Sequence, residues 1–126
     1  MAEPQPALPR NFIRPCLLLL LREQPSHGYE LLERLRTFGF ERDPGGLYRS
    51  LRALERDGYV RSAWEPSNEG PERRRYRLTR AGMEELHGKA QALAAANDVV
   101  GVFLSRYREF VALPTRRSLA QSAQVR

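Results

Sequence analysis

The sequence predicts a mainly α-helical chain with one small β-hairpin, and three observations carry that prediction. Apolar residues recur at helical spacing in three short stretches before residue 58. Two short alternating runs then flank a turn-rich loop. A last apolar pattern with a seven-residue repeat runs from Ala81 to about Leu113. With 126 residues, 41% of them hydrophobic and 29% charged, the chain has room for one compact core and an appended element.

Residues 1–11, rich in proline, read as a flexible arm. Phe12, Ile13, Cys16, Leu17, Leu20 and Leu21 then form one helical face. Pro15 fits only the first turn of such a helix, which places its start between Asn11 and Arg14, and Pro25 stops it. Ser26 offers an N-cap for a second helix carrying Tyr29, Leu32 and Leu35, with Gly39 at its end. Asp43-Pro44 starts a third, since Asp caps and Pro suits the first helical position. Leu47, Leu51 and Leu54 are its apolar stripe, and Gly58 is placed to end it in the left-handed conformation.

The period then changes to two. Val60, Ser62 and Trp64 alternate with Arg61, Ala63 and Glu65, and Tyr76 and Leu78 alternate with Arg75, Arg77 and Thr79. Trp64 is expected to anchor the hairpin to the body, and Tyr29 and Tyr48 to pack in or near the core. Thr79 can cap the final helix, whose first turns Gly82 and Gly88 weaken. Pro114 is expected to end that helix, and residues 114–126 read as a disordered polar tail. Three helices, a hairpin and a long terminal helix spell a winged helix-turn-helix over residues 12–80, with a dimerisation helix over 81–113. The apolar face of that last helix is too broad for a domain of this size to bury alone, so a second copy is the expected cover.

Composition narrows the function. Cys16 is the sole cysteine and His27 and His87 the sole histidines, which argues against a disulfide framework and a transition-metal site. No phosphate-binding glycine loop, nucleophile pair or paired-carboxylate motif is present, so an enzyme, a metal and a cofactor are not expected. The apolar run Cys16–Leu21 is far short of the ~20 residues a membrane span needs. A soluble cytoplasmic protein is the resulting expectation. Cys16 is expected to be buried and inert.

Charge points to a polyanion. The net charge is +6, and all but one of the 21 cationic side chains are Arg, the exception being Lys89. Residues 44–80 carry nine Arg against five acids, so most of the excess sits in the central third. Arg49, Arg52 and Arg56 share one face of the third helix, opposite its leucines and flanked by Ser50. A helix fits the major groove, where Arg pairs with guanine O6 and N7. Arg49 and Ser50, nearest the helix start, are the candidates for bases, and Arg52 and Arg56 for phosphates. Arg73, Arg75 and Arg77 line one strand face of the wing, and Arg74 near the loop can turn outward. A winged helix used only for contact with an acidic protein is the competing reading.

Three motifs and the exit from the wing resemble the PadR family of bacterial transcriptional regulators. They are His27-Gly28-Tyr29-Glu30-Leu31, Gly46-Leu47-Tyr48-Arg49-Ser50-Leu51, Leu54-Glu55-Arg56-Asp57-Gly58-Tyr59-Val60 and Tyr76-Arg77-Leu78-Thr79-Arg80-Ala81-Gly82. The resemblance implies a homodimer that binds double-stranded operator DNA, most often as a repressor relieved by a small molecule. It aligns the family's recognition helix with Tyr48, Arg49, Ser50 and Arg52, and its wing with Arg73 to Arg77. Arg49 replaces the small residue or Pro of many members, which implies a shifted operator preference. Drug-binding members carry a Trp in the terminal helix, where Phe103, Tyr107 and Phe110 are the aromatics here. The arm Leu8-Pro9-Arg10-Asn11-Phe12 is similar to that of a polyhydroxybutyrate-responsive repressor subgroup. The expected dimer or effector surface comprises Phe12, Cys16, Leu93, Val100, Phe103, Leu104, Tyr107 and Phe110.

Overall fold

A computed structural model describes residues 8–66 and 70–113. The proline-rich start and the tail after Leu113, including the expected stop at Pro114, lie outside the described residues. The elements are α1 (Ile13–Glu23), β1 (Ser26–His27), α2 (Gly28–Arg34) with a 3₁₀ turn at Leu35–Phe38, α3 (Pro44–Arg56), β2 (Val60–Glu65), β3 (Arg73–Leu78) and α4 (Arg80–Tyr107). The chain divides into two compact units, Met1–Ala90 and Gln91–Arg126.

In the first unit the core follows the leucine pattern. Leu17, Leu18, Leu31, Leu47, Leu51, Leu54 and Val60 are essentially inaccessible to solvent, together with Cys16. Burial pushes the Cys16 thiol up to about 11, so it stays protonated at neutral pH. It sits in the core among these leucines, in line with its expected burial. Phe12 also turns inward, packing against Phe38 and Phe40.

The termini of α3 are fixed as the sequence requires. The Asp43 carboxylate accepts the Gly46 N–H at 3.0 Å, and Pro44 occupies the first turn. At the other end Gly58 adopts φ +84°, and its N–H reaches the Glu55 carbonyl while the Tyr59 N–H reaches that of Leu54. These two bonds satisfy carbonyls that the helix end leaves open. The hairpin begins at the next residue. β2 and β3 pair antiparallel from Val60 opposite Leu78 to Glu65 opposite Arg73.

Several expectations need correction. The sheet has three strands in the order β1-β3-β2, because Ser26 and His27 pair with Tyr76 and Arg75. Ser26 is thus a buried strand residue, and His27 stands at the N-cap of α2 instead. Trp64 is 60% exposed and Tyr29 51% exposed, so neither is a core anchor. α4 ends at Tyr107, before the expected limit near Leu113, where i to i+3 bonds tighten Arg106–Phe110 into a turn. It is unbroken at Asp98 and Gly101.

Arg34 ties three elements together. Its guanidinium donates to the Leu20 carbonyl at the open end of α1, to Ser26 Oγ and to Glu23. Thr79 performs a similar service at the start of α4. Its hydroxyl accepts the Gly82 N–H at 3.0 Å and donates to the Gly58 carbonyl at 2.7 Å. Gly82 faces the Tyr59 carbonyl so closely that a Cβ there would collide with backbone, whereas a Cβ at Gly88 would meet nothing. The two glycines therefore differ in kind. Gly82→Ala is expected to destabilise the protein by about 1–3 kcal/mol. Gly88→Ala is expected to stabilise it by roughly 0.5–1 kcal/mol. Urea midpoints of the two variants shifting in opposite directions check both.

Candidate nucleic-acid interface

The arginines of α3, β2 and β3 fall on two surfaces, the outward side of α3 and the hairpin. Burial of Leu47, Leu51 and Leu54 turns Arg49, Arg52 and Arg56 to solvent, since helix positions between the stripe face away. Arg56 lies 3.8 Å from Asp57, while no described carboxylate is within 4.0 Å of Arg49 or Arg52. Two uncompensated guanidinium groups thus stand on one helix face. Ser50 is less available than its position suggests, because its hydroxyl donates to the Gly46 carbonyl at 2.9 Å.

Tyr48 packs its ring on Gly28, at the start of α2, where a Cβ would overlap the Tyr48 hydroxyl and ring edge. It is neither core nor free. The Tyr76 hydroxyl of the sheet is buried, and the charge of Arg74, followed by those of Glu55, Tyr48 and Arg52, acts on it. Burial is the larger influence there and raises the Tyr76 pKa.

The sheet has two unlike faces, because residues directly opposite across an antiparallel pair share a face. One face carries Val60, Ser62 and Trp64 with Leu78, Tyr76 and Arg74, and packs toward the core and α3. There the Glu55 carboxylate accepts the Ser62 hydroxyl at 2.6 Å, and Ser62 in turn accepts Arg74 Nε at 2.7 Å. Arg74 also covers the Trp64 ring, with Cζ 5.3 Å from the centroid. That contact explains how an exposed Trp is held.

The other face carries Arg61 opposite Arg77, Ala63 opposite Arg75, and Glu65 opposite Arg73. His27 completes the row beside Arg75. Its two ring nitrogens lie 2.7 Å from Glu30 and 3.0 Å from Glu65, joining α2 to the end of β2. Arg75 lies 3.3 Å from Glu65, and Arg73 donates to the Tyr29 hydroxyl at 2.9 Å. The Tyr29 ring is stacked on His27. Arg61, Arg75 and Arg77 line an open cavity of about 510 Å³ with Pro25, Ala63 and Glu65.

The structure therefore brings Arg49, Arg52 and Arg56 onto one helix face, and Arg73, Arg75 and Arg77 onto one sheet face, as the spacing requires. It separates Arg74 from that row and binds it to α3. Arg61, absent from the sequence candidates, joins the row through its register with Arg77. The alternation of β2 carried that signal, since Arg61 is in phase with Ala63 and Glu65.

In the second unit α4 shows an apolar surface. Val99, Val100, Val102, Phe103, Tyr107 and Phe110 are all exposed, Phe110 by 82%. Phe103 and Tyr107 stack with centroids 6.3 Å apart, and a cavity of about 580 Å³ opens among these residues and Arg106. Leu93 and Leu104 are half-buried. Among the described residues no helix is long and apolar enough to cross a membrane.

A family model described as "Transcriptional regulator PadR-like family" matches residues 17–88. Among solved structures, a PadR family transcriptional regulator from Eggerthella lenta is 30% identical, with TM-score 0.67 over 75% of this chain and 83% of its own. A PadR-like transcriptional regulator from Bacillus cereus is 26% identical, with TM-score 0.65 over 73% of this chain and 90% of its own. Bacillus subtilis PadR, solved in complex with operator DNA, is 24% identical, with TM-score 0.59 over 65% of this chain and 48% of its own. No curated protein resembles the chain closely enough to count as a match.

The Glu30 carboxylate generates a pH prediction. The His27 backbone N–H at 2.9 Å, and then the His27 side chain, hold its pKa below the ordinary 4.5. Because ionised Glu30 is favoured in the folded state, its contribution is complete above pH 4.5 and is lost as the pH falls through that value and below. In Glu30→Gln, the fall of the urea midpoint between about pH 5 and pH 3 is expected to be shallower than in the unsubstituted protein.

Proposed function

The chain belongs to the PadR-like family of transcriptional regulators, and on that premise we propose that it is a repressor that binds a pseudo-palindromic operator as a homodimer. The single observation that carries the reading is the pair of uncompensated cations, Arg49 and Arg52, on the outward face of a helix whose other face is pure core. Such a helix can enter the major groove without disturbing the fold. Arg49, nearest its start, would read guanine, while Arg52 and Arg56 would hold phosphates. Tyr48 would brace the helix against α2, and Ser50 would offer only its lone pairs.

The wing supplies a second grip. Arg73, Arg75, Arg77 and Arg61 lie on one sheet face, and the first two are held in position by Tyr29 and Glu65. The operator complex of the Bacillus subtilis relative supports the use of this fold on duplex DNA. Val99, Val100, Phe103, Tyr107 and Phe110 form the surface through which two copies would associate, with Leu93 and Leu104 at its margin. Two recognition helices would then sit about 34–36 Å apart. A small apolar effector entering beside Phe103 and Tyr107 would release the operator, provided its affinities for the two dimer states differ.

Selection of genomic fragments with the purified protein tests the reading. Inverted repeats of constant half-site spacing are expected, bound with an affinity that falls steeply with salt. Arg49→Ala is expected to cost about 1–3 kcal/mol and to relax preference at one base position. Arg77→Ala is expected to reduce the log–log salt slope by ~0.9 for each phosphate that Arg77 neutralises, uniformly across sequences. Fragments without a shared repeat, bound equally by all variants, would contradict the assignment.

A further inference from the structure

Glu55 stands where a DNA-binding surface is least served by a carboxylate. It lies three residues from Arg52 on the same side of α3, and a negative charge there repels a polyanion. Its contacts account for its presence. Oε2 accepts the Ser62 hydroxyl at 2.6 Å, and Oε1 lies 3.7 Å from the Arg74 guanidinium. Arg74 Nε donates to the same Ser62 oxygen at 2.7 Å, which closes a ring of three side chains from α3, β2 and β3. The ring is fully used: the Ser62 hydroxyl gives its one proton to Glu55 and accepts from Arg74.

Its location gives it leverage. Arg74 is opposite Trp64, one pair from the loop end of the hairpin, and its guanidinium is laid over the Trp64 ring. The remaining links between α3 and the sheet lie nearer the base, where Leu54 and Val60 share the core. A contact near the free end of a two-stranded ribbon sets its angle more strongly than one at its root. Hydrogen bonds to a charged acceptor are also the stronger kind.

We infer that Glu55 is a positioning residue that fixes the wing against the recognition helix through Ser62 and Arg74, and so favours operator binding although its own charge opposes it. Arg74 acts within this strut, and its charge is committed to Glu55 before any phosphate arrives. The inference rests on the DNA-binding reading above, and it makes the sign of one substitution diagnostic. Glu55→Met removes both the charge and the acceptor while keeping a long, helix-compatible side chain. A carboxylate that merely sits in the field of the interface would, once removed, leave every duplex bound more tightly. A strut, once removed, costs affinity for the correct duplex only.

The experiment uses the full chain, the tightest duplex recovered by genomic selection and a shuffled duplex of equal length. Glu55→Met is expected to lower affinity for the selected duplex about tenfold. Affinity for the shuffled duplex is expected to be unchanged or raised. Ser62→Ala leaves the net charge untouched and is expected to act in the same direction, and the double variant to fall no further than the worse single one. Backbone hydrogen exchange across residues 60–78 is expected to quicken in each variant. A selected duplex bound by Glu55→Met as tightly as by the unsubstituted chain overturns the inference. If Glu55→Met does not fold, Ser62→Ala decides alone, and unchanged affinity with unchanged exchange overturns it. Failure of the unsubstituted chain to distinguish the two duplexes overturns the DNA-binding reading instead.

Discussion

The corner Asp57-Gly58-Tyr59 is the constraint on which the first unit depends. Four elements are fixed there within three residues. Arg14 of α1 pairs with Asp57 at 2.8 Å, and Gly58 reverses the chain in a conformation that side chains resist. The Tyr59 carbonyl accepts the Thr79 N–H at 3.1 Å and leaves no room for a Cβ on Gly82. The Tyr59 hydroxyl meets Glu85, which raises its pKa. Because Val60 is the first residue of the hairpin, the exit angle of α3 and the launch angle of the wing are set by one turn. Both cationic surfaces therefore hang from the same few backbone bonds.

Net charge is a poor guide to which of those cations are free. Residues 44–80 hold nine Arg, yet Arg56, Arg73, Arg74, Arg75 and Arg80 all have neighbours within the fold. Among the described residues no carboxylate lies within 4.0 Å of Arg49, Arg52, Arg61 or Arg77. Arg61 and Arg77 face each other directly across the sheet, an arrangement that costs stability on its own. The acids of this region serve geometry more than neutralisation. Glu65 is shared by His27 and Arg75, and Glu55 by Ser62 and Arg74. One pair holds each face of the wing.

Most of the helical frame was legible in the sequence because it rests on local rules. Asp43, Pro44 and Gly58 mark the ends of α3 through bonds to residues at most four positions away, and the leucine stripe needs only the helical period. What escaped is non-local. β1 is two residues long, too short for any alternation to show, and it exists because Tyr76 and Arg75 offer it an edge. Trp64 and Tyr29 have core-like side chains, but their cover comes from Arg74 and Arg73 on another strand. Gly82 looked like a weak helix residue, whereas its meaning lies in a carbonyl more than twenty positions earlier. The arginine faces were readable from phase alone; the carboxylates that hold them were not.

The second unit poses a different physical problem. Near the end of α4 and in the turn after it, Val99, Val100, Val102, Tyr107 and Phe110 are exposed, and Phe103, 65% exposed, stacks on Tyr107. A single copy leaves its aromatic surface wet, and in the proposed dimer a second copy would cover it before any DNA is present. That order matters for specificity. One helix with two or three base-reading side chains cannot pick a site from a genome, since each good contact discriminates by only about 1–3 kcal/mol. Two helices locked by a shared apolar interface, as in the proposed dimer, would add their discrimination and impose a spacing as well. In the proposed dimer, a ligand that changed the interface would act on both half-sites at once, so a modest difference in its affinity for two dimer states would suffice to regulate binding.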